Sequence, residues 1–302
     1  MWSMAHLLDL TTQGDVGTLA DPAKLSSVRL MDPQQLYELW ERQPWSAHAI
    51  DLERDKADWA ALAPADRRDI AWSLSSFFVG EERVTTQFSG LVMAYEDQHE
   101  EAFLATQQVD EARHAQHFDR FYQHVLGMDD TFDSRLERAR DAVSPDFVEL
   151  FDRRLVDAGR ALVADPSDLE AKVDFVTTYH MLIEGTLALT GQHFITRAFE
   201  ERGILPGFTE GFRRIATDEH RHVAYGTWFL QRKAADRGLR RRIADRLLAL
   251  LPTTAGVLVP PGADPAGWTL LGFGADEINH FAFTALSRRL KVIGVDLAAA
   301  AA

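Results

Sequence analysis

The chain has 302 residues, of which 46% are hydrophobic and 26% are charged, an ordinary composition for a soluble globular protein. Its net charge of -14 argues against nucleic acids and anionic membranes as partners, and the absence of cysteine excludes disulfides and thiolate metal ligands. No apolar run is long enough to cross a membrane and the first residues lack the basic head of a signal peptide, so we expect a cytoplasmic protein.

The helical spacing of apolar residues predicts an all-α protein, since no segment shows the alternation that is typical of a strand. We expect residues 1–63 to be irregular apart from a helical turn within 51–59. A long helix is predicted to begin at Pro64, because proline is well tolerated at the first helical position, and a second one to end at Gly127. Four long helices are expected, at about 64–95, 102–126, 167–201 and 207–234.

The remaining segments are expected to be shorter. A helix is predicted from Pro145 to Ala164, and Ser167 with Glu170 has the pattern of a capping box at the start of the next one. Beyond residue 234 we expect an amphipathic helix, a loop rich in proline and glycine, and a last helix, at about 238–251, 252–267 and 275–291. The whole chain, 1–302, is therefore predicted to form a single helical domain.

Two of the long helices carry the motif Glu-x-x-His in their middle, as Glu111 with His114 and as Glu219 with His222. Residues three apart lie on one face of a helix, so each pair can direct a carboxylate and an imidazole at the same point. Two further copies of the motif lie in a polar run and at the start of the last helix: Glu96 with His99, and Glu277 with His280. These two copies lack the apolar surroundings of the first two, and we interpret them as solvated helix faces.

Each of the first two motifs follows a helix with a glutamate on its apolar side. Glu81 precedes Glu111, and Glu184 precedes Glu219, so the pattern Glu…Glu-x-x-His occurs twice, as if by internal duplication. Such a set from four helices is typical of a carboxylate-bridged dinuclear metal centre in a helix bundle. Four carboxylates balance two divalent ions, whereas six unrelated buried polar residues would need six separate sets of partners.

The ligand types indicate which metals this centre would hold. Carboxylate and imidazole ligands without sulfur suit iron and manganese. Asp218 stands directly before Glu219 and is a candidate hydrogen-bond acceptor for the imidazole of His114. The alternative is that Asp218 is an ordinary surface aspartate. The predicted ligand set consists of Glu81, Glu111, His114, Glu184, Glu219 and His222.

From about residue 45 to about residue 229 the sequence resembles the small subunit of ribonucleotide reductase, and more closely the ligand-binding oxidases that share its fold. The matching stretches are RDKADW at 54–59, GEERVT at 80–85, EARH at 111–114, IEG at 183–185, LALTG at 187–191, ILPG at 204–207 and DEHRH at 218–222. The resemblance implies a ferritin-like helix bundle of the reductase small-subunit type. It also selects Glu81 rather than Glu82 as the first ligand.

The resemblance further implies a heterodinuclear manganese–iron centre, or two irons, that activates O2 for a two-electron C–H oxidation. It implies a long-chain fatty acid or similar lipid-like ligand whose carboxylate contacts the metals, and it implies a homodimer. An ether cross-link is expected between Tyr179 and Val84, the positions that match the cross-linked pair of the family. Helical spacing alone would not select Tyr179, because five residues before Glu184 lies about 140° around an α-helix.

Two departures separate this sequence from a reductase subunit. Phe118 stands where the resemblance places the radical tyrosine, and no tyrosine follows Tyr225 to relay electrons to a catalytic partner. Both argue against nucleotide reduction. The alternatives are a radical-generating reductase subunit, a fatty-acid desaturase or other oxygenase on the same scaffold, and a non-catalytic metal store of the ferritin type, whose subunits are usually much shorter.

Overall fold

The structure is a computed structural model, and it describes residues 28–264 and 267–301. Within these ranges helices form nearly all of the regular structure. Their bounds are α1 (Pro33–Glu41), α2 (Glu53–Ala61), α3 (Pro64–Met93), α4 (Gln98–His124), α5 (Phe132–Arg140), α6 (145–164), α7 (169–202), α8 (Pro206–Lys233), α9 (Arg237–Val257), α10 (Ala275–Ile293) and α11 (Leu297–Ala301). A hairpin of two short antiparallel strands, β1 (Thr269–Leu270) and β2 (Phe273–Gly274), precedes α10. None of the helices in these ranges has an apolar stretch sufficient to cross a bilayer.

Two of the helices contain a segment of π-helical geometry, in which each N–H bonds to the carbonyl five residues earlier. In α6 this segment is Val148–Leu155, and in α7 it is Thr177–Ala188. The π-segment of α7 packs against α8, α9 and α10. It therefore lies at the centre of the helix bundle, where its geometry decides which side chains point inward.

The four predicted long helices are confirmed as α3, α4, α7 and α8, which pack on one another around a shared core. The helix α4 begins four residues earlier than predicted, at Gln98, because the Asp97 side chain accepts hydrogen bonds from the backbone N–H groups of His99 and Glu100 in the first turn. The predicted capping box of α7 is wrong. Asp168 is the capping residue there, and the Ser167 hydroxyl bonds to Asp165 instead.

Three other expectations are wrong. The region before residue 63 contains α1, whose start is a capping box formed by Asp32 and Gln35. The expected loop at 252–267 begins late, because α9 continues past Pro252 to Val257. The hairpin was not expected, because its turn places Leu271 at φ 52, a left-handed conformation that leucine seldom adopts. In each case local composition was an incomplete guide to the backbone.

The N-terminus of α8 is held by a residue from a distant part of the chain. Leu205, which precedes the helix, has φ 51 and provides no side-chain cap. The buried carboxylate of Asp55 in α2 instead accepts hydrogen bonds from the backbone N–H groups of Gly207 (2.9 Å) and Phe208 (2.6 Å). Because α8 carries Glu219 and His222, α2 helps to set where these side chains lie.

Replacing Asp55 with alanine is expected to lower the free energy of unfolding by about 1–3 kcal/mol, because two buried N–H groups lose their acceptor. Denaturant titration measures this change. Glu53→Ala is the matched control at the start of the same helix, where the side chain is 77% exposed, and we expect its effect to stay within about 0.5 kcal/mol. Equal effects of the two substitutions would show that Asp55 does not anchor α8.

Candidate metal centre

The six candidate ligand residues meet at one place inside the bundle, and none is more than 6% exposed. Their ligand atoms form two groups, within each of which all atoms lie within 4.8 Å of one another. The first group is Glu81, Glu111, His114 and Glu219, and the second is Glu111, Glu184, Glu219 and His222. Glu111 and Glu219 belong to both groups. This sharing is the arrangement that two bridging carboxylates would give to a dinuclear centre.

Both imidazoles present the same ring nitrogen to the carboxylates. Nδ1 of His114 lies 3.4 Å from the carboxylate of Glu81, and Nδ1 of His222 lies 3.0 Å from Glu111 and 3.2 Å from Glu184. In each ring Nε2 points away from the cluster towards an aspartate. A proton on Nε2 leaves the lone pair of Nδ1 free for a metal ion, so the geometry favours the tautomer that can act as a ligand.

Those two aspartates occupy equivalent positions in the two motifs. Asp218 lies 3.2 Å from Nε2 of His114, as the sequence predicts. Asp110 lies 3.2 Å from Nε2 of His222 and was not identified from the sequence. The repeat Asp-Glu-x-Arg-His at 110–114 and 218–222 was the available signal. Each aspartate orients the imidazole of the other helix, so the two helices hold one another's histidines.

A buried arginine connects the two aspartates. Arg221 is 1% exposed, and its guanidinium lies 3.0 Å from the carboxylate of Asp110 and also pairs with Asp218. The indole N–H of Trp40 donates to Asp110 (2.9 Å), and that of Trp45 donates to Asp218 (2.7 Å). Burial opposes ionisation of Asp218, yet the hydrogen bond from His114 and the charge of Arg221 lower its pKa to about 2. Asp218 is thus held as an acceptor, and the N–H groups of Trp40 and Arg221 that donate to Asp110 place it in the same role.

Two of the inner carboxylates, those of Glu81 and Glu184, lack such compensation. Burial raises the pKa of Glu81 to about 8, and burial together with the charge of Glu219 raises the pKa of Glu184 well above its usual range. In the part of the chain that the structure describes, His114 Nδ1, Glu184 Oε2 and Glu219 Oε2 are buried without a hydrogen-bond partner. A purely structural polar network would satisfy such atoms. These three atoms are therefore free to bind metal, and together with the surrounding carboxylates they fit a pair of metal cations.

Tyr179 reaches this cluster because of the π-helical segment of α7. Its hydroxyl donates a hydrogen bond to Glu111 (2.6 Å) and is also hydrogen-bonded to Glu184, five residues later in the same helix. In a π-helix the backbone hydrogen bonds join residues five apart, so the side chains of two such residues lie on the same face of the helix. The Thr186 hydroxyl, bonded to the Met181 carbonyl five residues earlier at 2.7 Å, shows the same spacing. The α-helical angle expected from the sequence therefore does not apply here.

An apolar cavity begins at the cluster and leads away from it. Glu81, Val84 and Tyr179 are among the residues that line it. The other lining side chains are mostly apolar, and they include Trp72, Phe147, Phe151, Ile183, Leu258 and Leu270. The last two come from the C-terminal region, whose likeness to known families is least clear in the sequence. The tertiary structure thus brings this region to the candidate centre.

The two Glu-x-x-His copies that we interpret as solvated helix faces lie outside the ligand cluster. Glu96 pairs with Lys233, and Glu277 pairs with Arg197 at 2.8 Å. Neither belongs to a metal-binding group among the residues described. Phe118 lies inside an aromatic cluster, stacked on Phe77 with ring centroids 5.8 Å apart. The position expected for a radical tyrosine is therefore occupied by a phenylalanine that packs among other aromatic rings.

Comparisons with known proteins agree with this geometry. The family model of the ribonucleotide reductase small chain matches residues 24–248. Among solved structures, an R2-like ligand-binding oxidase carrying a valine-to-alanine substitution and an anaerobically reconstituted Mn/Fe cofactor is 26% identical, with a TM-score of 0.76. A tyrosine-to-phenylalanine variant of an R2-like ligand-binding oxidase with aerobically reconstituted Mn/Fe cofactor is 25% identical, with a TM-score of 0.75. Each alignment covers 88% of this chain and 94% of the other. The chain belongs to the ribonucleotide reductase small-chain family.

Proposed function

We propose that this protein is a dinuclear metal-dependent oxidase that uses O2 for the two-electron oxidation of a C–H bond. The observation that carries the proposal is the pair of overlapping ligand groups, which share Glu111 and Glu219 and open onto an apolar cavity. Manganese and iron, or two irons, would be held by Glu81, Glu111, His114, Glu184, Glu219 and His222. When bound, the metal pair supplies the activation of O2, which no protein side chain provides.

The protein's own residues supply positioning and a dry environment. Asp110 and Asp218 keep the two imidazoles in one orientation through hydrogen bonds of 3.2 Å. The apolar lining of the cavity excludes water, which strengthens the electrostatic interactions inside it. The lining of this cavity, which is mostly apolar and includes Glu81, Glu111 and Glu184, favours a long-chain fatty acid or similar ligand, with its carboxylate at the ligand cluster and its chain along the apolar walls. Mass spectrometry of a solvent extract from the purified protein tests for such a lipid.

The cavity also contains the two residues of the expected ether cross-link. Forming the ether removes the phenolic proton of Tyr179 and a hydrogen from Cβ of Val84, a two-electron oxidation for which O2 is the oxidant. Glu111 and Glu184 accept the hydrogen bond of the phenol and can take its proton. Burial and the charges of these carboxylates raise the pKa of Tyr179 well above its usual range. The phenol therefore keeps its proton until it is oxidised.

A Tyr179→Phe variant loaded with metals and exposed to air is expected to give no cross-linked peptide, because the attacking oxygen is missing. Peptide mass spectrometry detects the link, and metal analysis shows whether the centre still assembles. Tyr122→Phe is the matched control, since Tyr122 is also buried but bonds to Ser75, and we expect it to retain the link. A link between the same two peptides in Tyr179→Phe would contradict the proposed pairing.

The alternative of a radical-generating reductase subunit is less favoured. Its tyrosine position is occupied by Phe118, which is fully buried against Phe77 and Phe212. A homodimer is also proposed, on the resemblance to the family alone. Light scattering on the purified protein measures the number of chains per particle.

A further inference from the structure

Tyr225 is a buried tyrosine for which the proposed mechanism has no use. It lies on α8 one turn beyond His222, is fully buried, and donates a hydrogen bond of 2.6 Å to the carboxylate of Glu100. The ammonium group of Lys172 lies 3.0 and 2.9 Å from the two oxygens of the same carboxylate. Glu100 is thereby held against the phenol as a fixed acceptor.

A series of ring contacts joins the candidate centre to the surface through this tyrosine. The ring of Tyr179 lies 4.5 Å from that of His180, which lies 5.3 Å from that of Tyr225, measured between centroids. The ring of Tyr225 lies 6.1 Å from that of Trp228, a half-buried residue that lines a surface cleft. Each aromatic ring in the series is therefore close to the next.

The environment of Tyr225 suits one-electron oxidation. A phenol that loses an electron becomes strongly acidic, so its oxidation is easy only where a base can take the proton. Glu100 is such a base. Tyr122 offers a contrast within the same core, since its hydroxyl meets the Ser75 hydroxyl at 2.7 Å and the Ala71 carbonyl at 3.4 Å, and neither accepts a proton readily.

The proposed function also creates a need for such a path. Reduction of O2 to water takes four electrons, and a C–H oxidation supplies two of them. The other two must enter from outside in each turnover. The candidate centre is buried, so an external donor cannot touch it.

We propose that Tyr225 is a redox-active tyrosine that conducts electrons from Trp228 to the metal centre. This inference rests on the proposed function, because the oxidised centre is the electron acceptor. Tyr225 gives up one electron through the rings of His180 and Tyr179, and its phenolic proton moves to Glu100. A one-electron reductant at the surface then returns an electron through Trp228, and Glu100 returns the proton. The net change is the transfer of one electron, with no other bond broken.

The test uses metal-free protein and a photosensitiser attached at one position. The chain contains no cysteine, so His99→Cys, at an exposed residue of the cleft beside Trp228, gives a unique site for a ruthenium complex. The exposed Tyr95 is replaced by phenylalanine to remove a competing phenol. Flash oxidation is expected to produce a tyrosyl radical, which transient absorption and electron paramagnetic resonance detect.

In a Tyr225→Phe variant the tyrosyl signal is expected to disappear and a tryptophanyl signal from Trp228 to persist. Glu100→Gln is expected to slow tyrosyl formation by on the order of 100-fold, the contribution typical of a positioned proton acceptor. Tyr122→Phe, the matched control, should leave the signal unchanged. An unchanged tyrosyl signal in Tyr225→Phe would overturn the inference. So would a radical that remains on Trp228, with no tyrosyl signal, in protein that contains Tyr225.

The flash experiment requires neither metals nor O2, so its result is independent of the oxidase proposal. Failure of the oxidase proposal would instead appear as the absence of bound metals or of the Tyr179–Val84 link in the loaded protein. The two outcomes are therefore distinguishable.

Discussion

Replacing Glu219 with alanine is expected to remove both metal ions from the protein rather than one of them. Glu219 is a member of both ligand groups, whereas Glu81 belongs to only one. Loss of a shared carboxylate takes a ligand from each ion and leaves two neighbouring cations with less negative charge between them. Glu81→Ala is therefore expected to lose one ion and keep the other. Metal analysis after reconstitution with manganese and iron measures the number of ions per chain.

The neighbouring glutamate provides a matched control for this pair of variants. Glu82 follows Glu81 directly, but its carboxylate lies 2.9 Å from Arg140 and belongs to neither ligand group. We expect Glu82→Ala to bind both ions. The midpoint of thermal unfolding gives a second measurement, since an ion that binds only the folded protein stabilises the folded state by mass action. Retention of one tightly bound ion by Glu219→Ala would rule out Glu219 as a bridging ligand.

Arg221→Met is expected to destabilise the protein by as much as about 3–5 kcal/mol, the usual cost of removing one partner from a buried ion pair. Arg221 lies between the carboxylates of Asp110 and Asp218, each no more than 1% exposed, and the substitution removes the more deeply buried of two cations that they share. The other cation, Arg113, lies 2.8 Å from Asp110 and 3.5 Å from Asp218 and remains in the variant. Such a loss is a large part of the 5–15 kcal/mol that typically separates folded from unfolded protein. Denaturant titration of the metal-free protein measures it without interference from metal binding.

Arg214→Met tests whether the effect comes from burial of the charges. Arg214 is on the same helix, and its pair with Glu210 is about half exposed on both sides. We expect its replacement to change stability by less than about 1 kcal/mol. Adding Asp110→Asn to Arg221→Met should recover part of the loss, because Arg113 is then the partner of one buried carboxylate, Asp218, instead of two. A similar loss in both arginine variants, or no recovery, would show that the charge pairing is not what stabilises this network.

The sequence could indicate the centre because its signals are local. A spacing of three places Glu111 beside His114 and Glu219 beside His222 wherever the chain is helical, and burial of that face follows from its apolar neighbours. The ends of the long helices were readable for the same reason. Pro64, for example, begins α3 as predicted. The capping box at Asp32 and Gln35 was equally local and was overlooked.

Tyr179 shows where local reasoning stops. Whether residues 177–188 form an α- or a π-helix decides whether Tyr179 shares a face with Glu184, and this choice depends on packing. Gly185 is part of that packing, because a Cβ there would lie 2.7 Å from the His180 carbonyl oxygen and 2.9 Å from Nε of Arg289. Only the family resemblance pointed to Tyr179 from the sequence.

By itself the sequence determined the helical class, the four long helices and the six side chains that could bind metals, because these follow from periodicity within single helices and, for Glu81 over Glu82, from the family resemblance. The tertiary structure decided which groups surround them. Asp110 meets His222 across 112 positions of sequence, and Trp45 meets Asp218 across 173. The repeated Asp-Glu-x-Arg-His motif marks Asp110 as a candidate acceptor, but no local pattern pairs Trp45 with Asp218 or sets the geometry of these contacts. They form only when the helices pack, since a buried charge must then find its partner wherever the chain supplies one.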